Sequence, residues 1–224
     1  MNRALNRVTV VFWKDMLTEL RTKQVITSVL VFAVLVMVIF NFAFGTGTDT
    51  PEIVAPGVLW VAIAFGGILG FNRLMYLEKE NSGMEGLMLC PVDRSILYWG
   101  KCAGGASFVL AVAAVVTPVC LALFNLPLFL PELAVIIVLA VTGFSVVGTL
   151  FSAMAVNTRA RDIMLPVLLL PVCAPVLISA VKATSLVMGG SSWGDIVTWL
   201  EILIAFDVIY AVAATLVFEF VIEE

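Results

Sequence analysis

Six apolar runs, each near the length a bilayer demands, alternate with polar intervals along the chain. They are Val25 to Phe44, Ile53 to Phe71, Ala103 to Phe124, Leu133 to Val156, Ile163 to Val181 and Leu200 to Ile222. A helix rises about 1.5 Å per residue, so about 20 apolar residues cross the hydrocarbon core and each run predicts one transmembrane helix. Most intervals are short: GTGTDTPE, NLPLFLPE, NTRARD, and a Gly/Ser-rich stretch from Lys182 to Trp199. One is longer, a polar island from Asn72 to Lys101. The expected fold class is therefore all-α: a polytopic membrane protein of six transmembrane helices, with residues 1–224 forming a single transmembrane domain.

Two amphipathic segments flank these spans. In residues 1–24, Leu5, Val8, Phe12, Met16 and Leu20 recur at steps of three and four, opposite charged positions such as Lys14, Glu19 and Arg21. That period predicts a helix lying in the membrane interface, or packed on a protein neighbour, ahead of the first span. A cleaved signal peptide fits poorly, because the apolar run that follows is too long and no small-x-small site closes it. The island mixes four bases (Arg73, Lys79, Arg94, Lys101) with four acids (Glu78, Glu80, Glu85, Asp93). Within it Ser82, Gly83, Met84 and Glu85 fit the S-x-x-E capping box, in which serine and glutamate satisfy each other's orphan amides. A helix of about two turns should start near Gly83 and stop before Pro91, carrying Met84, Leu87 and Met88. So short a helix needs a surface to lie against. A solvated connector with a chance S-x-x-E accounts for the same residues.

Composition narrows the class. With 62% hydrophobic and 12% charged residues and a mean hydropathy of +1.14, the chain departs far from soluble domains, where about a quarter of residues are charged. A net charge of -4 offers no basic field for a phosphate backbone, which argues against nucleic acid as a partner. The count of histidines is zero, which excludes His-ligated metal, His-ligated haem and Ser-His-Asp chemistry in this chain. The four cysteines show no C-x-x-C spacing, so they read as packing residues. No G-x-x-x-x-G-K-[ST] is present; if ATP is used, another subunit binds it. The expectation is a non-catalytic protein with no catalytic, cofactor or metal site of its own.

Lys and Arg are divided 11 to 1 between alternate sides if the N-terminus is cytoplasmic, with Lys182 the single base outside. The positive-inside rule then puts both termini and the island in the cytoplasm. Within the spans, Pro166, Pro171 and Pro175 interrupt the fifth, where each lacks an amide proton and crowds the preceding turn. They are hinge candidates, and a static kink explains them as well. Gly66 and Gly70, Gly100 and Gly104, and Gly148 and Ser152 have the spacing of close helix contacts, with packing inside one chain the simpler reading. Asp207, about two turns into the sixth run, is a possible intramembrane functional acid, since a carboxylate in hydrocarbon is costly. No base lies in any of the six runs to pair with it.

Lys14-Asp15 and Glu19-Leu-Arg21 open the pattern; Glu78-x-Glu80-x-x-Gly83-x-Glu85-Gly86, Pro91 and Gly100-Lys101 continue it in the island. Arg159, Arg161 and Asp162 then precede Leu-Pro at 165–166 and 170–171. In this order and spacing the chain resembles the membrane subunit of a type-2 ABC exporter, and more narrowly the cytochrome c maturation protein B (haem exporter protein B) family. The resemblance implies a prokaryotic inner-membrane permease subunit. It also implies an ATP-binding subunit, a haem-handling membrane subunit, a small single-span subunit and a periplasmic haem chaperone as partners. ATP would sit on the partner and haem would be handled by the complex, either exported or released on the chaperone. The island becomes the ATPase-coupling interface, through Glu78, Glu80, Gly83, Met84, Glu85, Gly86, Leu87, Met88 and Pro91. Two other functions fit the residues less closely. One is a type-2 exporter permease for a lipid, drug or polysaccharide. The other is an ion-coupled secondary transporter of two inverted three-span halves, with Asp207 as its ion site.

Overall fold

The structure, a computed structural model, describes residues 23–44, 51–80, 94–127, 131–155, 158 and 161–221. Among them run six helices: α1 (Lys23–Phe44), α2 (Pro51–Glu80), α3 (Arg94–Leu123), α4 (Pro131–Ala155), α5 (Arg161–Met188) and α6 (Trp193–Val221). All six are long and apolar enough to cross a membrane, so the polytopic all-α expectation holds. The interfacial helix expected over residues 1–24 falls almost wholly outside the described residues, as does the two-turn helix expected in the island.

Several helix ends differ from the sequence boundaries for local reasons. The stretch from Lys182 to Trp199 is not a loop. α5 continues to Met188 and α6 starts at Trp193, leaving four connecting residues. The stop is a left-handed cap: Gly190 has φ 70°, its amide donates to the Val187 carbonyl at 3.1 Å, and Ser191 N donates to Leu186 O at 2.9 Å. The restart is a capping arrangement in which the Ser192 hydroxyl donates to Asp195 Oδ2 at 2.9 Å. Asn125, at φ 55°, ends α3 in the same manner, with Leu126 N donating to Leu121 O at 2.8 Å.

The island is also shorter than its polarity suggests. α2 carries helical backbone through Glu80 and α3 begins at Arg94. Thirty residues of α2 extend about 45 Å, more than the roughly 30 Å hydrocarbon core, so charge appears before the helix ends. Lys101, read as an island base, is instead a buried residue of α3 with 2% exposure. A base therefore does lie inside a spanning helix, contrary to the sequence reading.

α4 packs on α2, α3, α5 and α6, while α1, among the described residues, touches α2 and α3 only. The seams are cut for rings against glycine. Phe71 of α2, 1% exposed, has its ring edges against Gly105 of α3 and Gly148 of α4, and its carbonyl accepts the Ser152 hydroxyl at 2.7 Å. Phe144 packs on Gly67, and Phe108 on Gly70. The glycine spacings at Gly66, Gly70 and Gly148 thus serve contacts between helices of one chain. Polar ties hold the helix ends together. Pro56 has no amide to give the Glu52 carbonyl, and Ser185 of α5 donates to that carbonyl instead, at 2.9 Å. One turn deeper, Trp60 Nε1 donates to Thr184 Oγ1 at 3.0 Å. Asn41 of α1 donates to the Leu123 carbonyl, an acceptor in the last turn of α3, at 3.1 Å.

Candidate functional site

The inward face of α4 is small and hydroxylated: Gly143, Ser145, Gly148, Thr149 and Ser152 are all buried. Without bulky side chains there, α3 and α6 approach closely, and the side chains they bring form the polar junction of the bundle. α6 supplies Asp207. Counted from Trp193, it is the fifteenth of 29 residues, so it sits at the helix midpoint rather than near the outer surface. The sequence reading placed it about two turns in because the turn before Leu200 looked like a loop.

Asp207 Oδ1 packs against the bare backbone of Gly143, where any β-carbon would overlap it, and has no hydrogen-bond partner among the described residues. Phe206 and Tyr210 stack beside it, ring centroids 4.1 Å apart at 23°. From α3, the buried Cys102 packs in one cluster with Tyr98 beside it in the helix, Val146 of α4 and Ala214 of α6. Among the described residues, the buried hydroxyls of Ser145 and Thr149 have no hydrogen-bond partner. Tyr98, one turn before Cys102, donates its phenol to the Val146 carbonyl at 2.7 Å and packs on Phe218 of α6 at 4.9 Å between centroids. The junction is thus a half-buried carboxyl group and several hydroxyls gathered in one helix seam. Among the described residues it offers acceptors for a proton or small cation, and no activated nucleophile. Among the described residues, no group of three or more His, Cys, Asp or Glu stands where it could hold a metal ion.

The other sequence candidates lie elsewhere. Leu165, Leu169, Cys173 and Val176 form the buried face of α5. Pro171 and Pro175 point outward and Pro166 is half-buried, so the prolines do not meet Asp207. α5 stays helical through all three. Glu78 and Glu80 belong to the last turn of α2 by backbone. Gly83, Met84, Glu85, Gly86, Leu87, Met88 and Pro91 fall outside the described residues. Sequence reasoning missed Tyr98, Lys101 and Cys102, which it left to the island and its border. The signal available was the stripe of small residues in α4, of which only Gly148 and Ser152 were singled out.

Six spanning helices among the described residues, with glycine-cut seams and a polar junction between them, define a polytopic α-helical membrane protein. A family model described as CcmB protein matches residues 6–223, and the chain belongs to that family. It is 26% identical to heme exporter protein B of Pseudomonas aeruginosa over 79% of each chain. Against heme exporter protein B of Paracoccus denitrificans it is 29% identical, over 79% of this chain and 80% of the relative. The Haemophilus influenzae protein of the same name is 24% identical, over 75% and 76%.

Proposed function

We propose that this chain is the membrane permease subunit of an ABC-type complex for cytochrome c maturation. In that complex it couples ATP hydrolysis on a separate subunit to haem export or to release of a haem-loaded chaperone. The observation that carries this reading is the family match over residues 6–223 of a six-span bundle. The chain works as a non-catalytic subunit in the bacterial inner membrane, with both termini in the cytoplasm. Its partners are the ATP-binding subunit, a haem-handling membrane subunit, a small single-span subunit and the periplasmic chaperone.

The ATPase meets the island. Support comes from the helix bounds: α2 carries helical backbone to Glu80 and α3 resumes it at Arg94, so residues 81–93 join the ends of two spanning helices. Met84, Leu87 and Met88 fill an apolar groove of the ATPase, Gly83, Gly86 and Pro91 shape the turn, and Glu80 and Glu85 meet basic residues at its rim. Truncating a central anchor such as Leu87 to alanine weakens association by about 2 kcal/mol, roughly 30-fold. Leu87→Asp abolishes pull-down of the co-expressed ATP-binding subunit while membrane insertion persists, whereas Glu80→Gln only weakens it, and less so at high salt, where the rim charges are already screened. Wild-type recovery of the ATPase by Leu87→Asp would move the docking site elsewhere.

A further inference from the structure

α2 and α5 run antiparallel, tied at their outer ends by the Trp60–Thr184 and Ser185–Glu52 hydrogen bonds. A groove of about 400 Å³ opens between them, within the about 300–1,000 Å³ of small-ligand sites. Gly57, Val61 and Phe65 form one wall, Leu170 and Ile178 the other, and Lys182 stands at one end. Val61, Phe65 and Ile178 are 40%, 42% and 56% exposed, so the groove faces outward from the bundle at membrane depth. Apart from Lys182, the lining is apolar.

We propose that this groove holds one acyl chain of an anionic phospholipid, with the lipid phosphate on the Lys182 ammonium. Three observations select that occupant. Lys182 lies six residues before the end of α5, so its long stem carries the charge toward the headgroup layer. The lining runs from Gly57 to Phe65 on α2, about 12 Å, and from Leu170 to Lys182 on α5, about 18 Å, an elongated slot suited to part of an extended chain rather than to a compact solute. On the orientation proposed above, Lys182 is also the one base on its side of the membrane in the 11 to 1 division of Lys and Arg, so anionic headgroups in that leaflet have this single residue to meet.

The test uses the full chain, purified in mild detergent and exchanged into an equimolar mixture of phosphatidylglycerol and phosphatidylethanolamine, with retained lipid counted by native mass spectrometry. One phosphatidylglycerol per chain is expected, in preference to phosphatidylethanolamine. Lys182→Gln lowers its retention about fivefold, the value of one lysine at an anionic headgroup, and removes the preference. Gly57→Leu fills the groove, and because a β-carbon at Gly57 meets no atom within 4 Å, the bundle accepts it while the lipid is lost. Unchanged lipid selectivity in Lys182→Gln, or unchanged retention in Gly57→Leu, overturns the proposal. So does disulfide-linked dimer from Val61→Cys in phosphatidylglycerol vesicles, which would put a second copy of the chain over the groove.

Discussion

α4 and α6 are nearly equal in apolarity, with mean hydropathies of 2.5 and 2.1 over their best 18-residue stretches, yet 67% of one stretch is buried and 17% of the other. In water such apolar helices would both be driven inward. In lipid the driving force between helices is close packing, so the helix with the smaller side chains takes the centre. α4 presents Gly143, Ser145, Gly148 and Thr149 on faces where α6 presents Val208, Ile209 and Val212 to the outside. The polar residue most expensive in hydrocarbon nevertheless belongs to the peripheral helix. Asp207 is tolerated where it is because Gly143 opposite lets it withdraw from lipid.

The contrast can be broken most forcefully at Gly148. A β-carbon there would enter the Phe71 ring, already confined by Gly105, so Gly148→Leu should destabilise the bundle by about 3 kcal/mol, read as early thermal unfolding in detergent. Next is Asp207→Ala. It removes a buried oxygen without a partner, so thermal stability should rise by about 1 kcal/mol, while haem attachment to cytochromes c in cells relying on this protein should fall. Unchanged attachment would confine the carboxylate to packing. Tyr98→Phe deletes the bond to Val146 that fastens α3 to α4 beneath Phe218, and should cost about 0.6 kcal/mol. Least affected should be Ile209→Ala, 63% exposed on the outer side of α6, with a change within about 0.5 kcal/mol by the same measurement.

The number and order of the spans were legible because bilayer thickness imposes a length that apolar runs reveal directly. Helix ends were not. Lys182, Ser191, Ser192 and Asp195 look like loop by composition, but Gly190 and the Ser192–Asp195 bond compress the loop to four residues. That compression moved Asp207 to the helix midpoint. Lys101 was misread for a related reason: polarity marks contact with water only when the helix has ended, and α3 had already begun at Arg94. Which face of each helix turns inward was the hardest part to read, since lipid and core are both apolar. Only the small residues distinguish them, and their meaning depends on the ring that arrives opposite, as Phe71 does at Gly105 and Gly148.

The left-handed cap at Gly190 has a bearing on biogenesis. With four residues between them, α5 and α6 form one tight hairpin, with the second helix as the return arm of the first. α5, with three prolines, would be the weaker helix to insert alone. Joined to α6, it enters with a second apolar arm already attached, and the Asp207 carboxylate travels with the pair toward a seat that α4, synthesised earlier, has already prepared at Gly143.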